Sequence, residues 1–238
     1  MIENKAIEAV LFDLDGTLLP LEQDFFIKQY FKSIAEYSVP FGIDPKMLIG
    51  AILKGTETMI ENNGSTTNEV AFWNTFFKIM GEDKKYIIPL LDKFYFGDFK
   101  RLKEYTRLSQ AVNAVKAASK DGKKIVLATN PVFPMSAQLE RISWIGLSEN
   151  NFDLITSYEN SHFCKPNPNY YLEICDKIGV LPQNCLMIGN DERDDMKGAM
   201  DAGMNGFLVT DCVISSKEFE WAGSSGTFED MINMLKNL

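Results

Sequence analysis

Short, almost wholly apolar runs recur along the chain, and each of them stops at polar residues. Residues 7–12 form the first run, which ends at Asp13. Further runs lie at residues 125–128, 154–155, 185–188 and 207–209. Such runs are typical of buried strands in a parallel sheet, because both faces of that sheet are covered.

Helical patterns separate these runs. Residues 108–118, 135–145 and 169–178 indicate helices, and Thr227 is a candidate N-cap for a last helix through Leu238. Strands that alternate with helices predict an α/β fold, in which a parallel sheet carries helices on both faces.

Residues 21–103 break this alternation, since they show helical patterns and little strand character. The candidate helices begin at or near Phe26, Pro45, Thr67 and Lys84 or Lys85. The sequence therefore predicts an all-helical domain of residues 21–103 inserted into a core of residues 1–20 and 104–238. Most of its aromatic residues are expected in a hydrophobic core, while a minority could line a substrate cleft. The aromatic residues in question are Phe72, Trp73, Phe76, Phe77, Phe94, Tyr95 and Phe96.

Composition limits the possible partners and the compartment. The net charge of −9 argues against nucleic acid and membrane surfaces as partners, because both attract basic faces. A small phosphorylated metabolite stays compatible with this charge, since one metal ion and one lysine can reverse the sign locally. The four cysteines form no CxxC pair, and no run reaches membrane-spanning length. We therefore expect a cytoplasmic protein with reduced thiols; a monomer is compatible with the sequence, which leaves the oligomeric state open.

Polar side chains follow the predicted strands or lie between them. In chain order they are Asp13 and Asp15, Thr129 and Asn130, Lys165, and then Asn190, Asp191, Asp194 and Asp195. The carboxyl ends of parallel strands meet at one edge of a sheet, so these groups should converge. Neighbouring carboxylates repel, and a hard divalent cation would relieve that repulsion. A lysine beside such a cation suits an anion, and the set as a whole suits phosphoryl transfer.

Each of these residues alone has a simpler interpretation. The segment 13–16 could be a turn at a strand end, and Thr129 an ordinary strand residue. Lys165 could be a solvated surface lysine, and residues 191–195 a charged loop or the start of a helix. Their common position at predicted strand ends favours the functional interpretation.

Four short motifs occur along the chain, each at or near the end of a predicted strand. Residues 13–17 match the motif DxDGT, Thr129 ends a strand, Lys165 precedes a proline, and residues 187–199 form an acidic loop after a strand. In this order they resemble the four motifs of the haloacid dehalogenase superfamily, in particular its phosphatases with a helical cap inserted after the first motif. The resemblance covers residues 7–209 and implies a Rossmann-like core with a mobile cap that closes over the site.

The resemblance also implies a role for each motif residue. Asp13 would attack phosphorus and form an aspartyl-phosphate, while Asp15 would donate and accept the proton. Mg²⁺ would be held by the carboxylate of Asp13, the backbone carbonyl of Asp15, and Asp191. Thr129 and Lys165 would hold the phosphate.

The fourth motif departs from the family pattern. The family commonly has Gly-Asp after the strand, whereas this chain has Gly189-Asn190-Asp191. We favour Asp191 as the metal ligand, because hard cations prefer carboxylates to amides. Asp195, four residues later, and Asn190 would then support the site, and Asn130 is a further candidate for binding phosphate.

Three functions remain open at this point. The first is magnesium-dependent hydrolysis of a small-molecule phosphate monoester. The second is a phosphomutase acting on a sugar phosphate, which needs the same two aspartates. The third is a non-catalytic protein that responds to phosphate or metal, for which Asn190 is the only support. The sequence does not name the substrate.

Overall fold

The computed structural model describes residues 7–238, and a six-stranded parallel sheet lies at its centre. The strands are β1 (Ala9–Phe12), β2 (Lys124–Leu127), β3 (Leu154–Ile155), β4 (Cys185–Gly189), β5 (Asn205–Val209) and β6 (Ser224–Gly226). Their spatial order is β3-β2-β1-β4-β5-β6. Residues 1–6, which belong to the predicted core segment 1–20, lie outside the described residues.

The register of the central strands sets the position of the residues that follow them. Phe12 of β1 pairs with Leu127 of β2 on one side and with Ile188 of β4 on the other. Strands β2 and β3 lie on one side of β1, whereas β4, β5 and β6 lie on the other side. The switch point of the sheet is therefore between β1 and β4. Ligands of open parallel sheets bind at such a switch point, beyond the carboxyl ends of the strands.

Helices cover both faces of the sheet. Helix α5 (Ala111–Ala118) precedes β2. The helices that follow β2 are α6 (Met135–Trp144), α7 (Pro168–Ile178), α8 (Gly198–Asp201) and α9 (Phe228–Lys236). Val10 and Phe12 point into one hydrophobic cluster, whereas Ala9 and Leu11 point into another on the opposite face. This alternation follows from the two-residue period of a strand. The predicted fold class, a parallel sheet between helices, is confirmed.

Four helices lie between β1 and α5, and we call residues 23–96 the helical insertion. They are α1 (Gln23–Ser38), α2 (Pro45–Ile60), α3 (Asn68–Met80) and α4 (Ile87–Phe96). Within the described chain, the segment between β1 and β2 contains helices and turns but no strand. Phe26 of α1 packs its ring against Trp144 of α6, with centroids 6.3 Å apart. The insertion therefore shares one hydrophobic cluster with a face of the sheet, and the division into two domains stays a prediction.

Some predicted boundaries shift. Helix α5 begins at Ala111 and not at Leu108, which is fully exposed, and the hydroxyl of Ser109 accepts the N–H of Ala111 at 3.0 Å. A short 3₁₀ turn occupies the residues where the fourth insertion helix was expected, and α4 begins only at Ile87. Helix α9 ends at Lys236, before the predicted end of the last helix.

No helix within residues 7–238 combines the length and the apolar character that crossing a membrane requires.

Candidate active site

Asp13 lies at the carboxyl end of β1 and is almost fully buried. Its Oδ1 accepts a hydrogen bond of 2.8 Å from Nζ of Lys165, which also donates to Oδ1 of Asp195 at 2.6 Å. Oδ2 of Asp195 in turn accepts the backbone N–H groups of Asn190 and Asp191, each at 3.0 Å. These contacts join the ends of β1 and β4 to the loop that carries Lys165.

The loop after β4 depends on a glycine. A Cβ at Gly189 would lie only 2.1 Å from Oδ2 of Asp195, so a side chain there would displace this carboxylate. Residues Glu192–Lys197 then form a π-helical turn, and Oδ1 of Asp191 caps it by accepting two backbone N–H groups at 2.8 Å. Asp191 and Asp195 are therefore both fixed at the carboxyl end of β4.

The acidic side chains of this cleft outnumber the cationic side chains that line it. Burial outweighs the attraction of Lys165 and raises the pKa of Asp13 to about 7. Burial also raises the pKa of Asp194 to about 6 and raises that of Asp191. By itself burial would lower the pKa of Lys165, but the carboxylates of Asp13 and Asp195 raise it well above its ordinary value. Lys165 thus stays protonated. Its single positive charge is not enough to offset the burial of the surrounding carboxylates.

Thr129 and Asn130 lie in the same cleft as Asp13. The carbonyl oxygen of Thr129 accepts the hydroxyl groups of Thr156 at 2.7 Å and of Tyr170 at 2.9 Å, and these bonds fix the loop after β2. Oδ1 of Asn130 is buried and has no hydrogen-bond partner among the described residues. Because buried polar atoms are nearly always satisfied, Asn130 is a candidate for contact with a ligand.

Asn190 uses both polar ends of its side chain within the protein. Its Oδ1 accepts the hydroxyl of Thr17 at 3.1 Å, and its Nδ2 donates to the carbonyl of Cys212 at 2.7 Å. The side chain also packs against Gly16, whose φ of 84° and lack of a Cβ permit this approach. Asp191, by contrast, uses only Oδ1 in the hydrogen bonds of its side chain to the described residues.

Asp15 faces a buried arginine. Arg141 of α6 is fully buried and donates through Nη1 to Oδ2 of Asp15 and through Nη2 to Oε1 of Gln138. Its guanidinium carbon also lies 4.7 Å from the ring centroid of Phe133. Oδ1 of Asp15 is buried and lacks a hydrogen-bond partner among the described residues. The arginine thus holds one oxygen of Asp15 and leaves the other available to a ligand.

Arg141 was not among the residues predicted from the sequence, although its position in the chain carried a signal. Gln138 and Arg141 share a helix face with Ala137 and Trp144, and all four are buried. A buried charge is costly unless it is paired. The signal in the sequence was the spacing of Arg141 from Ala137 and Trp144, which places a charge beside apolar residues on one face of the predicted helix 135–145.

The cleft around Asp13 has a volume of about 140 Å³ and carries an excess of acids. The charged residues that line it are Asp13, Asp15, Asp191, Asp194, Asp195 and Lys165. Among residues 7–238, no three His, Cys, Asp or Glu side chains are grouped as metal ligands. The magnesium ligands that the resemblance implies include only two side chains, the carboxylates of Asp13 and Asp191. The third implied ligand is the backbone carbonyl of Asp15. The excess negative charge and the raised pKa values fit a hard cation with oxygen ligands.

Comparison with known proteins identifies the family. Residues 7–203 match the haloacid dehalogenase-like hydrolases. A phosphorylated carbohydrates phosphatase of Thermotoga maritima is 26% identical over 98% of this chain and 100% of its own length. A glyceraldehyde 3-phosphate phosphatase of Methanothermobacter thermautotrophicus is 25% identical, with coverage of 98% of this chain and 99% of the relative. These named phosphatases bear out the predicted class of enzyme.

A solved structure shares the fold along nearly the whole chain. It is a HAD phosphatase from Thermococcus onnurineus, with a TM-score of 0.59 and 21% identity over 96% of this chain and 97% of the other. The family match covers most of the chain, and the motifs on which the resemblance rested lie within it. The protein therefore belongs to the haloacid dehalogenase-like hydrolases.

Proposed function

We propose that this hydrolase removes the phosphoryl group from a small-molecule phosphate monoester, with Mg²⁺ as cofactor and Asp13 as nucleophile. The observation that carries the proposal is the buried ion pair of Asp13 with Lys165, which Asp195 supports, at the end of the central strand. A lysine in this position can neutralise an incoming phosphate beside the nucleophile. The relatives named for phosphorylated carbohydrates and glyceraldehyde 3-phosphate support the same class of reaction.

The reaction would proceed in two steps at Asp13. An Oδ atom of Asp13 attacks phosphorus, the bond from phosphorus to the alcohol oxygen breaks, and the phosphoryl group is bound covalently to Asp13. The departing oxygen takes a proton from the carboxyl group of Asp15. A water molecule then attacks phosphorus and gives a proton to Asp15, while the bond from phosphorus to the oxygen of Asp13 breaks. This step releases phosphate and restores both aspartates.

The remaining polar groups of the cleft would bind and orient the substrate. Lys165, Thr129 and Asn130 would hold the phosphate oxygens, and the unpaired Oδ1 of Asn130 supports such a contact once a hydrogen-bond donor is present. When bound between Asp13 and Asp191, Mg²⁺ would supply positive charge that offsets the charge of the phosphate.

The side chains after β4 support Asp191 as the metal ligand in preference to Asn190. Both polar ends of Asn190 are engaged, by Thr17 and by the carbonyl of Cys212. Asn190 and Asp195 would then support the loop, while Asp191 faces the cleft.

We further propose that residues 21–103 serve as a cap over a catalytic core of residues 1–20 and 104–238. Phe26 and Ile27 of α1 line the polar cleft together with the carboxyl ends of the strands, which supports this role. A closed cap would exclude water during transfer of the phosphoryl group to Asp13. We also keep the prediction of a cytoplasmic enzyme that acts on a small metabolite.

Phosphate release from a broad panel of metabolite phosphate esters tests the proposed function. With Mg²⁺, at least one ester should be hydrolysed, and removal of the metal by a chelator should abolish the reaction. Asp13→Asn should lower kcat/KM roughly 10³-fold or more, since it removes the nucleophile. Asp176→Asn, at an exposed position of α7, is the matched control.

Three outcomes would contradict the proposal. Wild-type rates that survive both chelation and Asp13→Asn would exclude the mechanism. An isomerised ester in place of free phosphate would indicate a phosphomutase. Tight binding without turnover across the panel would indicate a binding protein.

A further inference from the structure

A second cavity lies next to the polar cleft, between the helical insertion and the loop after β2. Its volume is about 180 Å³. We call it the aromatic cavity, and its wall includes Tyr30, Phe72, Trp73, Tyr95, Phe133 and Tyr158. Ile27, Val132 and Phe133 line both this cavity and the polar cleft. The aromatic cavity therefore adjoins the polar cleft, next to the proposed position of the phosphate.

Three of the hydroxyl groups on this wall already have partners in the protein. The hydroxyls of Tyr30 and Tyr95 bond to each other at 2.8 Å, and burial raises the pKa of Tyr30 to about 12, so it stays neutral. The hydroxyl of Thr56 donates to the carbonyl of Ile52 at 2.9 Å. Asp92 is exposed at the rim. A polyhydroxylated group would find only a few partners inside, chiefly the indole N–H of Trp73 and the hydroxyl of Tyr158. Groups that lose hydrogen bonds on burial bind poorly.

The size of the aromatic cavity limits its occupant to about one ring. An apolar protein cavity of about 150 Å³ is known to bind benzene, and the present cavity is slightly larger. Aromatic walls favour a planar apolar guest, because ring edges and faces attract each other. Arg141, 4.7 Å from the ring centroid of Phe133, helps to hold this shared wall in place.

We propose that the aromatic cavity receives the leaving group, and that the preferred substrates are phosphate monoesters of alcohols that carry one apolar six-membered ring. This inference rests on the proposed phosphatase function and specifies its substrate class. The relatives named above are named for carbohydrate or triose phosphates, so the inference separates this chain from them.

A matched pair of esters tests this substrate class. Benzyl phosphate and glucose 6-phosphate both join a six-membered ring to phosphate through one CH₂–O link, but only the sugar carries hydroxyls. With wild-type enzyme and Mg²⁺, we expect kcat/KM for benzyl phosphate to be at least about tenfold higher, given the discrimination that such pockets achieve. Equal values, or a preference for glucose 6-phosphate, would overturn the inference and leave the phosphatase function intact.

A variant that fills the cavity tests the location. Thr56→Phe should lower the ratio of kcat/KM for benzyl phosphate to that for methyl phosphate at least about tenfold, because the new ring occupies the space of the guest. Thr66→Phe makes the same change at an exposed loop position outside the aromatic cavity and should leave the ratio as in the wild type. A ratio that Thr56→Phe does not change would place the ring elsewhere.

Binding of phosphonates tests the inference without catalysis. 2-Phenylethylphosphonate and ethylphosphonate mimic the benzyl and methyl esters but resist hydrolysis. Calorimetry with the wild-type protein and Mg²⁺ should give a Kd at least about tenfold lower for the phenyl compound. Equal Kd values would refute the aromatic subsite. If no ester at all is hydrolysed, the phosphatase proposal fails, and this measurement still decides whether the cavity binds a ring.

Discussion

The two side chains of the Asp15–Arg141 ion pair differ in their exposure to water. The side chain of Arg141 is 0% exposed, whereas that of Asp15 is 24% exposed. Loss of Asp15 would leave a buried guanidinium without a counter-charge, while loss of Arg141 would leave a carboxylate that water can still reach. The pair thus combines a structural role for Asp15 with its proposed role in proton transfer.

This asymmetry predicts different costs for the two single substitutions. Asp15→Asn should lower the free energy of unfolding by about 3 kcal/mol, as expected for an uncompensated buried charge. Arg141→Met, which keeps similar volume, should cost less than Asp15→Asn does. Urea denaturation with a chelator present measures both, with Asp176→Asn as an exposed control. A larger cost for Arg141→Met would contradict the assignment.

Asp13 also predicts a link between metal binding and pH. Burial raises its pKa to about 7, so the carboxyl holds a proton below that pH and must release it before it binds a cation. The affinity for Mg²⁺ should therefore rise about tenfold from pH 6 to pH 8 and level off above. Calorimetry in buffers of different ionisation enthalpy would detect the released proton. An affinity that is constant over this range would contradict the expected state of Asp13.

At the residue scale, the sequence singled out motif residues but not their surroundings. Asp13, Lys165 and Asp195 were candidates because each follows a recognisable pattern. The structure brings their side chains within hydrogen-bond distance, and their functional roles stay a prediction. Arg141 was missed because its role depends on Asp15, which is distant in sequence. A lone arginine in a helix is usually solvated, and only the burial of its face indicates otherwise.

At the element scale, the start of α3 joins the helical insertion to the loops of the site. The backbone N–H groups of Asn68 and Glu69 donate to the carbonyls of Ser161 and Tyr158, each at 2.8 Å. The fully buried side chain of Asn68 also donates to the carbonyl of Pro131 at 3.3 Å. These bonds attach α3 to segments that lead from Asn130 and towards Lys165. We therefore expect α3 to move together with the loops that we propose to bind phosphate.

Asn68→Ala should therefore weaken both stability and substrate binding. We expect the free energy of unfolding to fall by about 1–3 kcal/mol, because buried partners lose their hydrogen bonds. We also expect KM to rise more than kcat falls, because the loops proposed to hold the phosphate lose support. Asn63→Ala, in an exposed part of the loop before α3, serves as the control. Unchanged KM with reduced stability would limit Asn68 to a structural role.

The elements that the sequence missed lack the signals on which prediction depends. Strand β6 contains only Ser224, Ser225 and Gly226, and it is a strand because it pairs with β5 at the edge of the sheet. Such small polar residues carry no apolar pattern. The predicted start of α5 at Leu108 was wrong because that residue matched the helical spacing, although its side chain faces solvent.

At the scale of the whole molecule, alternation of strands and helices was sufficient to predict five of the six strands and the edge of the sheet at which the candidate site lies. The shape of the aromatic cavity could not be predicted in the same way. Tyr30, Phe72 and Tyr95 come from α1, α3 and α4, and meet only after these helices pack. Phe96 belongs to the aromatic set of which most members were expected in the core, but it is largely exposed. Aromatic character alone therefore does not identify the residues that line a cleft.

The covalent intermediate is the central claim about the molecule, and trapping it is the most direct test. During turnover of a hydrolysed ester with Mg²⁺, rapid addition of borohydride should reduce an aspartyl-phosphate to homoserine. Peptide mass spectrometry should then find homoserine at position 13 in the wild-type protein, but neither in Asp13→Asn nor without substrate. Phosphate release with an unmodified Asp13, or with the modification at another aspartate, would contradict the proposed mechanism.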